Sequence, residues 1–144
     1  MRKYCLSLLL LLLTLVSNAV EPPKREIRGV WLTTVYGLDW PRKPATTETG
    51  RKAQQRDVCD ILDRLQDANF NTVFLQVRMR GDVIWRSAIE PASKIFSGKY
   101  GMMPVYDPLA FVIDECHKRG MECHAWFVTF PLGTDKSVKE QGKL

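Results

Sequence analysis

The sequence predicts an α/β protein built on a parallel sheet, and three observations support this prediction. Short apolar, β-branched segments alternate with segments of helical periodicity in the order β-α-β-α-β. No short turn signal joins two of the strands, so a hairpin is not indicated. The connections that leave the strands are long, whereas those that enter them are very short. Such alternation calls for right-handed crossovers, which place the strands in parallel.

The first half of the chain predicts a strand, a helix and a second strand. The first strand is predicted over Ile27–Thr34, where β-branched and aromatic residues predominate. A helix is predicted over Gly50–Asn69, with Asn69 as a left-handed stop. Thr72–Arg78 is apolar nearly to its end, which is typical of a strand buried on both faces. The apolar stripe of the helix has the spacing i, i+3, i+4 and i+7: Val58, Ile61, Leu62 and Leu65.

The second half predicts a long loop, a helix and a third strand. Met79–Tyr106 is irregular, and a loop of this length inside a compact domain is usually functional. Asp107 is predicted to cap a helix that ends at Gly120, and Met121–Phe127 is predicted to be the third strand. The loops after the strands carry the site in parallel α/β folds. We therefore expect the site to lie on residues 35–49, 79–106 and the segment after Phe127.

The N-terminal segment predicts export. Arg2 and Lys3 precede an apolar run over Leu6–Val16, and small residues stand at the positions that a signal peptidase reads. This pattern is typical of a secretory signal peptide over residues 1–19, cleaved after Ala19, with a linker over residues 20–25. The run is too short for a stable membrane span, although an uncleaved anchor is the alternative. We expect a secreted or periplasmic protein.

Charge and cysteine content exclude several classes of partner. The net charge is +5, and it falls to +3 without Arg2 and Lys3. The basic residues are scattered rather than gathered in a stripe, so nucleic acid is not the expected partner. Cys59, Cys116 and Cys123 form no zinc-binding spacing, which favours buried thiols. A disulfide between Cys116 and Cys123 stays open, and no metal or organic cofactor site is predicted.

Polar and large side chains collect on one face of the second and third strands. Gln76 and Arg78 share one parity, as do His124 and Trp126. This is typical of a barrel interior that opens into a site. The segment Arg78–Asp82 is the densest polar cluster of the chain. It suits either the recognition of hydroxyl and carboxylate groups or a structural ion-pair cluster.

Aromatic residues near the loops give a weak indication of sugar binding. Their flat faces suit the apolar faces of sugar rings, and they are Trp31, Tyr36, Trp40 and Trp85. Glycoside hydrolysis usually needs two carboxyl groups across the scissile bond. The candidates are Asp39, Asp82 and Glu90, and none is clearly paired with another at a strand end.

Several segments together resemble the glycosyl-hydrolase-like family 10 domain. The resemblance runs from about Glu26 to about Phe130. It is found in Arg28–Leu32, Asn69–Arg78, Arg80–Asp82, Ile89–Pro91, Tyr106–Phe111 and His117–Phe127. It implies a (β/α)8 barrel of the TIM type, of which this chain holds about three β/α units, and hydrolysis of extracytoplasmic glycans, with cell-wall polysaccharide as a reasonable substrate. By position it also implies that the sugar cleft is lined by Arg78, Arg80, Asp82, His124 and Trp126.

The chain departs from the family pattern in two places. Val128–Pro131 stands where many members of the family carry Asn-Pro-Tyr-Arg, so the contacts of the third loop are in doubt. The second departure is length, because a complete barrel has eight strands. We therefore expect residues 26–144 to be a C-terminally truncated domain whose catalytic acids lie beyond Leu144. A non-catalytic glycan-binding module and an inactive gene remnant are the alternatives.

Overall fold

The computed structural model describes residues 26–142 as a three-stranded parallel sheet with two long helices on one face. The predicted signal peptide and linker lie outside the described residues. The strands are β1 (Gly29–Leu32), β2 (Thr72–Arg78) and β3 (Glu122–Phe127). The helices are α1 (Glu48–Asp67), α2 (Lys94–Ser97), α3 (Pro108–Lys118) and α4 (Asp135–Glu140). A 3-10 turn occupies Val35–Gly37.

The sheet has β2 at its centre, and both of its neighbours run parallel to it. Val73 pairs with Val30 on one side and with Cys123 on the other. The predicted parallel arrangement is therefore confirmed for this part of the chain. The first strand is shorter than predicted, because the backbone N–H groups of Thr33 and Thr34 donate to side chains instead of to a strand.

The apolar core lies between the sheet and the two long helices. In β2, the residues that alternate with the polar face are fully buried: Val73, Leu75 and Val77. Val58 and Leu62 of α1 pack against them. Deep burial of this many aliphatic side chains is the main stabilising contribution to such a layer. The core includes Leu32, Val58, Leu62, Val73, Leu75, Val77, Val112 and Cys116.

The helix ends largely follow the sequence signals. Asp107 caps α3 by accepting from the backbone N–H of Ala110 at 3.0 Å, as predicted. Asn69 and Gly120 adopt left-handed backbone with φ of 61° and 68°. The helix α1 begins earlier than predicted, because Thr47 is the cap and its hydroxyl accepts from the N–H of Gly50 at 3.1 Å.

The long loop after β2 contains more structure than its sequence predicted. Val83 forms bridges with both Arg78 and Ala92, so the loop folds back along the end of β2. The short helix α2 then buries Phe96 against the core. A helix of four residues is too short to show a periodicity, which is why α2 was not predicted.

The three described cysteines are free thiols. Cys116 is buried, and its side chain contacts that of Cys123 on the helix-facing side of the sheet. A hydrogen bond between the two thiols, together with burial, raises the pKa of Cys116, so this residue is a neutral core thiol. The expectation of packed apolar thiols is met at this position.

Candidate functional site

The carboxyl ends of the strands are joined by polar side chains from β2. The central strand ends in Gln76 and Arg78, whose side chains point to the face opposite the helices. Each of them reaches into a loop that follows a neighbouring strand. This end of the sheet therefore gathers the three segments that were predicted to form the site.

Arg78 is a clamp that joins three segments of the chain. Its Nε donates to the two carboxylate oxygens of Glu90 at 3.0 and 2.8 Å, and Nη2 donates to Oε1 at 2.6 Å. Its Nη1 donates to the carbonyls of Val128 and Thr129 at 2.6 and 3.0 Å. The hydrogen bonds that Arg78 donates to Glu90 raise the pKa of Arg78, so the guanidinium stays charged. Arg78 therefore forms an ion pair that holds the loops, which was one of the two alternatives for this cluster. Its contact with a sugar stays a prediction.

Gln76 fixes the turn that follows β1. Its side-chain Oε1 accepts from the backbone N–H groups of Thr34 and Val35 at 3.0 and 2.8 Å. The hydroxyl of Thr34 donates to the backbone carbonyl of Gln76 at 2.8 Å. Both residues are buried, so these bonds are shielded from water. The turn is thereby held in place on the end of the central strand.

The turn presents Tyr36 to solvent. This tyrosine has left-handed backbone, with φ of 58°, and 70% of its surface is exposed. Left-handed backbone is unfavourable for an aromatic residue and is often found at functional sites. The guanidinium carbon of Arg80 lies 4.6 Å from the centre of the Tyr36 ring. A cation over an aromatic face stabilises this pair.

The Arg80–Asp82 segment turns sharply at Gly81, whose φ is 71°, as the sequence predicted. Asp82 is fully buried, and its Oδ1 accepts weakly from the N–H of Arg80 at 3.4 Å. Among residues 26–142, the buried atoms Arg80 Nε and Asp82 Oδ2 have no hydrogen-bond partner. Buried polar atoms are rarely left unpaired. A ligand contact for Arg80 and Asp82 stays a prediction, and for Asp82 it would require the loop to move.

An aromatic surface covers the face of the sheet opposite the helices. Trp31 stacks on Phe74 with ring centres 4.8 Å apart, and it meets Trp126 edge to face at 4.9 Å. The His124 ring lies 5.3 Å from Phe74. The predicted shared face of His124 and Trp126 is confirmed, and 57% of Trp31 is exposed.

Two of the three candidate carboxylates at this end, Asp39 and Glu90, are engaged by the protein itself. Asp39 accepts from the backbone N–H of Thr33 at 2.7 Å, and Glu90 holds Arg78. On the sheet face, Glu122 Oε2 lies 2.9 Å from His124 Nε2. Hydrolysis by two opposed carboxyl groups would need a pair that faces a common gap. Within residues 26–142 these carboxylates serve the loops and the sheet instead.

Two depressions flank the loop after β1. One, of about 350 Å³, lies between that loop and α2. The other, of about 260 Å³, runs along β1 toward α1. Sequence reasoning did not place Tyr36, Arg42 and Lys94 together, although all three line the first depression. The available sequence signal was Gly37 next to Tyr36 and shortly before Pro41, because glycine and proline this close together indicate a turn.

Within residues 26–142, no group of three or more histidine, cysteine or acidic side chains could hold a metal ion. In the same range, no helix is long and apolar enough to cross a membrane.

Comparison with known proteins identifies a family. The profile of the family described as glycosyl hydrolase-like 10 matches residues 26–142. The chain is 49% identical over 111 residues to the glycosyl hydrolase DigH of Escherichia coli K12, an alignment covering 74% of this chain and 25% of DigH. It is 41% identical over 103 residues to the glycosyl hydrolase YngK of Bacillus subtilis, covering 72% of this chain and 20% of YngK. The chain thus spans about a quarter of the length of the curated relatives it matches.

Proposed function

The chain belongs to the glycosyl hydrolase-like 10 family, and from that premise we propose that it takes part in hydrolysing glycosidic bonds of extracytoplasmic glycans. Cell-wall polysaccharide is the substrate we favour. The three parallel strands are proposed to be the first units of a (β/α)8 barrel, in which the loops after the strands form the active site. Export by the predicted signal peptide would bring the protein to such a substrate.

The observation that carries this proposal is that polar loops gather at the carboxyl end of the sheet, beside aromatic side chains on the face that would line the interior of the barrel. Trp31, Phe74 and Trp126 form a continuous aromatic surface. Sugar rings have apolar faces and polar rims, so they fit a surface of this composition. In this arrangement the described residues bind and orient the glycan. Catalytic carboxyl groups would come from outside residues 26–142.

A non-catalytic glycan-binding role is the second candidate, and one observation favours it. The loop carboxylates Asp39 and Glu90 are bonded to the protein itself. A surface without free carboxyl pairs can still bind sugars through stacking and hydrogen bonds. Both candidates predict binding by residues 26–142, and newly formed reducing ends would support the hydrolase alone.

The test is to measure glycan binding and glycan cleavage by the purified chain. Binding is measured by co-sedimentation with insoluble bacterial cell-wall glycan, chitin and cellulose. Cleavage is measured as newly formed reducing ends. We expect retention on cell-wall glycan, and Trp31→Ala to weaken it by about tenfold because an exposed stacking ring is lost. Ile27→Ala is the matched control, since Ile27 is another exposed apolar residue, before β1.

The outcomes separate the readings. Binding with new reducing ends supports the hydrolase. Binding without cleavage by this chain is consistent with both candidates, because the hydrolase takes its catalytic carboxyl groups from outside residues 26–142. Absence of binding to every glycan would refute both candidates. Equal effects of the Trp31 and Ile27 substitutions would refute the aromatic surface as the site of contact.

A further inference from the structure

Two cysteines meet across the turn that joins α3 to β3. Cys116 lies near the end of α3, and Cys123 is the second residue of β3. The backbone N–H of Met121 donates to the carbonyl of Cys116 at 3.0 Å, so the chain enters β3 directly beside the end of the helix. Both side chains lie in the apolar layer between helix and sheet, because Cys116 belongs to the core and Cys123 packs against it.

The directions of the helix and the strand turn the two side chains toward each other. A turn of only three residues separates α3 from β3, so the strand runs back along the helix and packs on it. The bond from Cα to Cβ in a helix tilts toward the helix N-terminus, which is the direction that β3 takes. Cys123 has the strand parity of the buried Met121, whereas Glu122 between them is exposed. The contact between the thiols therefore follows from the backbone geometry.

The surroundings of each thiol give it a different role. Cys116 is fully buried, whereas Cys123 is partly exposed on a strand that, within residues 26–142, has a neighbour on one side only. The hydrogen bond with Cys116 lowers the pKa of Cys123, which increases the fraction of the reactive thiolate. Cys59 differs, because burial and the nearby carboxylate of Glu115 raise the pKa of its thiol.

We propose that Cys116 and Cys123 are a redox-active pair that forms a disulfide when the folded chain meets a low-molecular-weight disulfide of the glutathione type. The bond cross-links α3 to the edge strand β3 and gives that strand a second attachment besides its pairing with β2. This inference is independent of the proposed glycan binding, to which it adds a site of covalent modification.

The exchange occurs in two steps, and its protons and electrons balance. The thiolate of Cys123, whose proton has passed to water, attacks one sulfur of glutathione disulfide and releases one glutathione thiolate. That thiolate takes the proton of the Cys116 thiol. The sulfur of Cys116 then attacks the sulfur of Cys123 and displaces the second glutathione, which takes a proton from water. In total the two cysteines lose two electrons and two protons, and glutathione disulfide gains them.

The test exposes the full chain to defined mixtures of reduced and oxidised glutathione. Free thiols are then alkylated, and peptide mapping by mass spectrometry locates each disulfide, which distinguishes Cys5, outside the described residues, from the other three cysteines. We expect most molecules to hold the Cys116–Cys123 bond at about a tenfold excess of reduced glutathione, because the fold orients the two thiols. In about 8 M urea this orientation is lost, and we expect the ratio of oxidised to reduced pair to fall by about tenfold or more.

Single variants separate the roles of the two thiols. In Cys116→Ser we expect oxidation to stop at a mixed disulfide between Cys123 and glutathione, because no second thiol can displace the glutathione. In Cys123→Ser we expect Cys116 to stay unmodified, because it is buried. Cys59→Ser is the matched control and should form the bond as the parent does. Circular dichroism shows whether each variant is folded, and the alanine variant replaces a serine variant that is not.

Three results would overturn the inference. If both thiols stayed free in the folded chain after oxidation, the pair would be rejected. A bond that formed equally well in urea would show that the fold does not bring the thiols together. Pairing of Cys59 as often as of Cys116 would remove the assigned partners. Glycan binding is measured separately on the reduced chain, so each of these results would leave the proposed function standing.

Discussion

At the amino end of the sheet the chain makes tight turns, whereas at the carboxyl end it runs through long loops. Asn69 and Gly120 turn the chain into β2 and β3 within a few residues. Ion pairs of Asp63, Glu115 and Arg119 tie the two long helices together there. At the opposite end, side chains of the central strand fasten the loops, and Lys94 of the short helix α2 pairs with Glu140 of α4.

The comparison shows that the two ends of the sheet are held together in different ways, and we propose ligand contact for the loop end alone. The pair of Arg119 and Glu115 is largely buried, with 13% of each side chain exposed, and the tight turns leave the chain few alternatives. At the loop end, the largely buried Gln76 and Arg78 fix the backbone of the loops. The exposed parts of these loops carry Tyr36 and Arg42. Loops that are long in sequence can therefore be rigid in structure, which suits a binding site.

The largest expected effect is loss of the Arg78 clamp. Side-chain exposure is 15% for Arg78 and 23% for Glu90, so Arg78→Met leaves a mostly buried carboxylate without its guanidinium. We expect the free energy of unfolding to fall by about 3 kcal/mol. Urea unfolding followed by circular dichroism measures it. Arg28→Met, at the exposed amino end, is the control and should cost about 0.5 kcal/mol. Equal losses would contradict the distinction between the ends.

The next effect concerns Gln76. In Gln76→Leu the N–H groups of Thr34 and Val35 lose their acceptor inside the protein. We expect a loss of about 2 kcal/mol, with faster amide exchange in the turn that carries Tyr36. Gln66→Leu is the matched control, because Gln66 donates to the carbonyl of Arg119 from an exposed position. It should cost less than about 1 kcal/mol; a larger loss there than at Gln76 would reverse our assignment.

At the amino end, Glu115 makes stability depend on acid. Hydrogen bonds from Lys118 and Arg119 lower the pKa of Glu115 to about 2, below its usual value of 4.5. A lowered folded-state pKa stabilises the protein above the unfolded pKa, and that stabilisation is lost as pH falls from about 4.5 to about 2. Glu115→Gln should cost about 1.5 kcal/mol at pH 7, and the difference from the parent should vanish near pH 2. Urea titrations at several pH values test this, and a difference independent of pH would argue against it.

The smallest effects on stability are expected at the two left-handed residues. Asn69→Gly keeps the turn and should change the free energy of unfolding by less than about 0.5 kcal/mol. Tyr36→Gly relieves unfavourable backbone but loses the contact with Arg80, so its net change should also stay within about 1 kcal/mol. Glycan binding should weaken only in Tyr36→Gly. Weaker binding in Asn69→Gly would show that the amino end contributes to the site.

Much of the fold was predictable because its signals are local. The stripe of α1, the caps at Asp107 and Gly120, and the apolar run of β2 each depend on neighbouring residues alone. The strand parity also placed His124 and Trp126 on one face correctly. Where the sequence prediction was wrong, at the end of β1, a side chain forty-two residues away had replaced a strand partner.

The site was harder to predict, because its parts come from separate loops. Arg42 and Lys94 are far apart in sequence and line one depression because Trp40 packs on Phe96 and the N–H of Ala45 donates to the Phe96 carbonyl. The densest polar cluster attracted attention, yet Arg78 is used to hold the loops and Asp82 is buried. Composition identifies polar groups, but only the fold tells which of them face solvent.

The two environments of tryptophan give the molecule its own optical reporters. Trp40 is fully buried, whereas Trp31 lies on the open aromatic surface. A water-soluble quencher would therefore reach the emission of Trp31 first and leave that of Trp40. The sheltered emission would follow the integrity of the core, and the quenchable emission would follow what lands on the sheet, without any added label.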